Sequence, residues 1–315
     1  MYDITWQIMV GKYELTMLDS VKIIRSVEQI SDTAVIVLPG TCFNKAIEIE
    51  SKIKRGDPVL IMAGYDKTLV NEFQGFIESI STDGAAIKIN CEDAIFQFRK
   101  PVVDKEFVNP DVKDVLNYIC SQIGGYTLNC DYSFKYDKFI IRNATAYDVL
   151  KKTQEETKAN VYIKDKVLHV HPAYKEIFGK EKYSFQDNIE KSDLEYKNAR
   201  DRIVQVVIEG KGKDGKVIRE TAGSTGGDQV NIKIDGVSDA KTLQNLAQEQ
   251  LKVKSYTGYS GSFTGWLLPY CDAGFKVSIT DKDYEFKDGD YYVVTVETNI
   301  GKAGGVRKIS IGMKL

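Results

Sequence analysis

Gly56-Asp57-Pro58-Val59-Leu60-Ile61 and Gly274-Phe275-Lys276-Val277-Ser278-Ile279 decide the reading of this chain. Each stretch opens on a glycine and carries apolar residues three and five places later. That period-two spacing marks a strand with one buried face. Working outward, Phe76-Ile77-Glu78-Ser79-Ile80 is answered by Tyr292-Val293-Val294-Thr295-Val296. Gly84 with Ile87 and Ile89 is echoed, one residue out of step, by Gly305 with Ile309 and Ile311. The same β unit therefore stands near each end of the chain, and a repeat of this kind outranks any local motif.

The composition limits the function classes. A length of 315 residues, at roughly 150 residues per domain, implies about two domains, with room for a third. Basic and acidic residues number 43 and 45, for a formal net charge of −2. Without a like-charged tail, a dominant nucleic-acid or membrane-surface role has no electrostatic support. Cys42, Cys91, Cys120, Cys130 and Cys271 are odd in number and lack CxxC spacing, which fits reduced packing residues of a chain that matures in a cytoplasm. Met1 to Val10 lacks a basic start followed by an apolar core, so no secretory signal is expected. No apolar run is long enough to span a bilayer.

The expected fold class is mainly β with an α+β insert: two tube-like β-barrel domains flanking a small helix–strand region. Residues 1–99 read as the first barrel. Ile47 and Ile49 alternate with Glu48 and Glu50, Val35 to Leu38 reads as covered on both faces, and Asp83-Gly84 reads as a hairpin turn. Residues 100–189 change period. Asn109-Pro110 reads as a helix start, and Val112, Val115, Leu116, Ile119 and Ile123 form a stripe ended by Gly124-Gly125. A second helix starts at Thr145, with Asp148 in the capping-box position. Asp114-Val115-Leu116 matches Asp148-Val149-Leu150, and each helix is followed by a strand, so the insert is two helix–strand units. Residues 190–315 read as the second barrel, with one helix capped by Ser238.

Candidate chemistry is sparse. His169 and His171, the two histidines of the chain, fall on one face of a short strand ending at Pro172. A metal site needs three or four converging ligands, and no third is visible nearby, so the pair reads as structural and no metal is expected. A Ser-His-Asp or Cys-His arrangement could be built only around this pair. Glu155-Glu156, and Asp281 with Asp283 and Glu285, read as solvated faces rather than a glycosidase pair. Lys151-Lys152 pair with Glu155-Glu156 four residues on. Gly210–Gly215 and Gly223–Gly227 do not match the full phosphate-loop pattern and read as turns. No catalytic or cofactor-binding residue is assigned, and no cofactor is expected.

The order barrel, insert, barrel resembles the baseplate hub proteins of contractile phage tails across essentially the whole chain. The resemblance rests on Ile53-Lys54-Arg55-Gly56-Asp57-Pro58-Val59, Gly64-Tyr65-Asp66, Phe73-Gln74-Gly75-Phe76-Ile77 and Asn90-Cys91-Glu92-Asp93. Asn143–Leu150, Asp272–Val277 and Asp288–Val293 extend it. The set is similar to the late control protein D family and the hub part of type VI secretion spike proteins. This resemblance implies a non-enzymatic homotrimer in the virion tail baseplate, assembled in the bacterial cytoplasm. Three subunits with two tube-like units each would adapt a six-fold tail tube to a three-fold spike. Implied partners are the tail tube protein, a separate spike protein and a tape-measure protein, with DNA only in transit. The rival readings are a cell-wall-degrading tail hydrolase and a monomeric two-barrel ligand-binding protein.

Overall fold

The computed structural model describes all residues except 1–2, 40, 43–44, 47–50, 84–85, 202, 213 and 303. The Ile47 and Ile49 alternation and the Gly84 half of the hairpin turn lie outside the described residues. The N-terminal part supplies β1 (Ile4–Val10), β2 (Tyr13–Glu14), β3 (Ser20–Ser26), β4 (Thr33–Pro39), β5 (Thr41–Cys42), β6 (Lys45–Ala46), β7 (Pro58–Tyr65), β8 (Thr68–Asp83) and β9 (Ala86–Glu92). The middle supplies β10 (Lys105–Val108), α1 (Val112–Ile123), β11 (Thr127–Cys130), β12 (Lys138–Ile141), α2 (Ala146–Thr157), β13 (Asn160–Lys164) and β14 (Val167–His171). Then come β15 (Gly179–Ser184), β16 (Lys191–Lys197), β17 (Val204–Lys211), β18 (Val217–Gly223), β19 (Asp228–Asp235), α3 (Ala240–Lys254), β20 (Gly258–Trp266), β21 (Phe275–Thr280), β22 (Gly289–Gly301) and β23 (Gly304–Lys314). The chain is mainly β.

Two runs of strands share one order. In the first module the sheet runs β3-β4-β9-β8-β7-β1, and in the second β16-β20-β23-β22-β21-β15. The match reaches single residues. Pro58 lies opposite Phe76 as Lys276 lies opposite Tyr292, and Ile77 opposite Cys91 as Val293 opposite Ile311. A bulge follows at Glu78 in β8 and at Val294 in β22. Gly56 N–H donates to Ile77 O at 2.8 Å, and Gly274 N–H to Val293 O at 2.9 Å. Both glycines need the left-handed region, at φ +88° and +82°, where a side chain is strained. One partner differs: β1 is antiparallel to β7, whereas β15 is parallel to β21. Register also corrects one sequence match. Ile89 and Cys91, rather than Ile87 and Ile89, are the counterparts of Ile309 and Ile311.

The modules are fused edge to edge. The second half of β22, Thr295–Gly301, pairs antiparallel with β3, Ser26–Ser20. This makes one sheet of thirteen strands among the described residues. Each module keeps a core of its own. Ile8, Val21, Ile36, Val59, Ile61 and Ile89 fill the first, and Phe263, Val277, Ile279, Val293 and Ile309 the second. Leu267 and Ile300 cross from the second module into the first core.

Several expectations need correction. Neither module closes into a barrel among the described residues, because the strand path is open and ends at β16 and β2. The division into 1–99, 100–189 and 190–315 also differs from how the cores form. β17, β18, β19 and α3 pack against α1, α2 and their strands in one shared core, through Val206, Ile208, Leu243 and Leu246. The stretch is thus an insertion between β16 and β20 that completes the middle body, while β15, before residue 190, joins the second module. β4 buries Ala34, Ile36 and Leu38 but leaves Val35 and Val37 half-exposed, so it is covered on one face only.

Helix starts moved by one or two residues where a better cap was available. Asp111, not Asn109, caps α1: its carboxylate accepts from Lys113 N–H, and Asp114 accepts from Asp111 N–H. Asn109 sits at φ +51° in the turn before Pro110. Thr145 and Asp148 form the expected capping box of α2, and Asp239 caps α3 in place of Ser238. The two helix–strand units share a sheet, ordered β11-β14-β13.

Candidate functional site

The most constructed part of the molecule is the seam between the two modules. Arg307 on β23 occupies a core-facing position in line with Ile309 and Ile311, yet it is only 1% exposed. A buried guanidinium must have partners, and the seam supplies them. Its nitrogens reach Glu72 Oε1 at 2.5 Å and Oε2 at 2.9 Å, Thr298 Oγ1 at 2.8 Å and Leu267 O at 3.1 Å. Glu72 comes from β8 of the first module and is fully buried. The Tyr270 ring lies 4.7 Å from the guanidinium centre, within cation–π range.

A second arginine continues the network. Arg25 on β3 bonds Tyr270 Oη at 2.6 Å, pairs with Asp272 and donates to Glu72 O. Both arginines thus tie the β22–β3 pairing to the β20–β21 connection. Beside them, Asp32 accepts from Ser26 N–H and Asp93 accepts from Asp32 N–H. Burial pushes the Asp32 carboxyl up to about 7, with Arg25 pulling it down and Asp272 pushing it further up. Burial, reinforced by Asp32, also raises Asp93 well above the ordinary carboxyl value. Arg25, Asp32, Asp93 and Tyr270 line a groove of about 810 Å³ together with Phe73, Tyr126 and Lys164. Each arginine of the network is paired with a carboxylate, Arg307 with Glu72 and Arg25 with Asp272.

The sequence-derived candidates resolve as follows. His169 and His171 do meet: His171 Nε2 lies 3.4 Å from His169 Nδ1, and His171 Nδ1 lies 2.6 Å from Asp131 Oδ1. Tyr162 stacks on His169 with centroids 4.7 Å apart. Burial, then His171 and Lys164, depress the His169 pKa. Ligand atoms of Asp131, His171 and Glu176 lie within 4.8 Å of one another, a grouping that does not include His169 and that sequence spacing alone could not reveal. Asp131 is already engaged, since Lys175 Nζ sits 2.6 Å from its other oxygen. Burial would raise its pKa, but the bonds from Lys175 and His171 outweigh that and hold it low.

The carboxylate candidates do not converge. Lys151 and Lys152 reach Glu155 and Glu156 across one helical turn at 4.0 and 3.9 Å. Asp281 and Asp283 share Gln186 Nε2 at the tip between β21 and β22, and Glu285 sits in the short helix of that tip. Gly210–Gly215 spans the β17–β18 hairpin turn, with Lys213 outside the described residues. Gly223–Gly227 joins β18 to β19, neither of which opens a helix. Sequence reading missed Arg307 and Glu72. The available signal was a charged residue at a core-facing place in an alternating run.

No protein-family profile matches the chain, and no curated relative does. Solved structures do match along its whole length. The 43 kDa tail protein of prophage MuSo2 from Shewanella oneidensis superposes with a TM-score of 0.65 at 15% identity, covering 98% of each chain. A tail protein from Neisseria meningitidis gives 0.65 at 15% identity, over 99% of this chain and 97% of that one. A type VI secretion system component of E. coli, itself described as structurally similar to bacteriophage T4 tail proteins gp27 and gp5, gives 0.64 at 8% identity. It is covered to 76% and this chain to 98%. The chain has the fold of these tail and secretion proteins.

Proposed function

We propose that the protein is a structural baseplate hub of a phage tail or related contractile injection machine, acting without enzymatic activity, cofactor or metal. The observation that carries this is the tandem of two modules with matched strand order, fused edge to edge, in a chain with the fold of tail proteins. Three such chains present six similar modules, which suits a six-fold tail tube on one side and a three-fold spike on the other. The site inventory agrees with a structural role, because the buried arginines at the seam bond carboxylates of the same network.

The test is co-expression with a tail tube and a spike protein from the same genome, followed by affinity capture on the spike. A complex with three copies of this chain per spike trimer, bridging to tube, is expected. Capture of neither partner would overturn the hub reading. Digestion of purified bacterial cell wall by the chain alone would favour the hydrolase instead.

A further inference from the structure

The sheet of the middle body carries a cluster of its own on the face turned away from its core. In the β11-β14-β13 sheet, Leu168 and Val170 of β14 join the core with Val161, so His169 and His171 share the opposite face. Register sets Asn129 and Tyr162 on either side of His169, and Asp131, just past β11, bonds His171. The link from β14 to β15 brings Lys175 to Asp131 and Glu176 into the grouping with Asp131 and His171. That link is also held by the second module, where Tyr292 Oη on β22 donates to Glu176 O at 2.9 Å.

The hydrogen-bond inventory leaves two lone pairs facing each other. Asp131 spends one oxygen on His171 Nδ1 and the other on Lys175. An ionised carboxylate only accepts, so His171 Nδ1 carries the proton and Nε2 of the neutral ring is bare. Asn129 Nδ2 lies 3.4 Å from His169 Nδ1, and an amide NH2 only donates, so that nitrogen is bare as well. The two bare nitrogens are 3.4 Å apart. Two imidazole nitrogens on one tetrahedral zinc ion, each about 2.0–2.1 Å from it, stand about 3.3–3.4 Å apart. Tyr162, stacked on His169 at an interplanar angle of 3°, fixes that ring. With the Asn129 amide turned over, His169 Nδ1–H would donate instead and no ion would bind, an alternative the experiment decides.

We propose that His169 Nδ1, His171 Nε2 and the Glu176 carboxylate bind one divalent transition-metal ion of the zinc class, with Asp131 orienting His171 from behind. A carboxylate on the far nitrogen of a ligand imidazole is the usual outer partner of such sites, and two imidazoles suit zinc better than magnesium or calcium. Binding requires the half-exposed Glu176 side chain to close on the pair. Glu176 and Asp165 favour a cation beside His169 and Lys164 opposes it, so affinity in the micromolar range is expected. The ion would clip the link before β15 to the middle sheet. Docking a tube to a spike makes no use of this ion, so the inference goes beyond the hub reading and its failure would leave that reading untouched.

The experiment is calorimetric titration of the tag-free full chain with zinc at slightly alkaline pH, where the ligands are deprotonated. About one ion per chain is expected, and Co2+ in its place should give the visible absorption of a tetrahedral site. His169→Gln and Glu176→Gln should weaken binding by about tenfold or more, and Asp131→Asn by about 10–100-fold. Zinc should also slow tryptic cleavage after Lys175 in the parent and leave it unchanged in His169→Gln. Each variant is first shown to melt as the parent does without zinc; one that does not fold is set aside, and the others decide. Absence of saturable binding by the parent would overturn the site. Equal affinity in the parent and in folded His169→Gln or Glu176→Gln would do the same, because the ion would then sit elsewhere.

Discussion

At the scale of single residues, the seam is held by charge taken out of water. Arg307 and Glu72 are 1% and 0% exposed, so removing one partner leaves the other desolvated and alone. Glu72→Ala should cost about 3–5 kcal/mol, read as a fall in the urea midpoint at constant slope. The double variant Glu72→Leu with Arg307→Met should recover most of that loss, since apolar replacement of a whole buried pair is often neutral. A single-variant loss under about 1 kcal/mol would show that water reaches the pair. Asp32 makes the opposite kind of prediction. Its folded pKa, about 7, stands above the ordinary value of 3.8, so its favourable contribution is complete below that ordinary value and disappears as pH rises through 7. Stability should therefore fall between about pH 4 and pH 7, and Asp32→Asn should flatten that fall, with Asp93 retaining part of it. Chemical unfolding at the two pH values checks this. None of these residues was legible as a pair from sequence, because Glu72 and Arg307 are 235 positions apart and alternation shows which face a residue takes, not whom it meets there.

At the scale of elements, the repeat was legible because backbone and side-chain requirements coincide. A glycine forced to positive φ, followed by core residues at even spacing, leaves the same trace wherever the strand recurs, and Gly56–Ile61 and Gly274–Ile279 carry that trace in register. The bulges at Glu78 and Val294 left no comparable trace, so the last strand was matched two residues out. Helix ends were legible only to within a residue or two, since Asn109, Asp111 and Ser238 are all acceptable caps and tertiary fit chooses among them. The two glycines also separate backbone strain from crowding. A Cβ at Gly56 would find only Phe96 at 3.7 Å, whereas one at Gly274 would meet Phe178 at 2.4 Å. Gly56→Ala should cost roughly 1–2 kcal/mol from left-handed strain alone. Gly274→Ala should cost clearly more, because the ring must also move. Thermal unfolding of the two variants checks the order, and equal losses would mean that Phe178 yields freely.

At the scale of the whole molecule, the tandem arrangement was visible in sequence and its continuity was not. Nothing in β3 or β22 announces that they pair across some 270 residues, and nothing in β17–β19 or α3 says that their apolar faces turn to the middle body rather than to the strands that flank them. Both are choices among faces that look alike until they meet. The tip between β21 and β22 shows what tandem construction permits. In the first module the corresponding strands are joined by Asp66 and Lys67 alone, whereas in the second the link extends through the short helix Glu285–Lys287, with Tyr284 before it and Phe286 within it both exposed. A ring made from six identical chains would have to display such a tip six times or not at all. Two covalently linked copies can drift apart under separate mutation, so in the proposed ring of three chains the aromatic tip would recur at every second station. A docking partner could then read a coarser rhythm than the one that closes the ring.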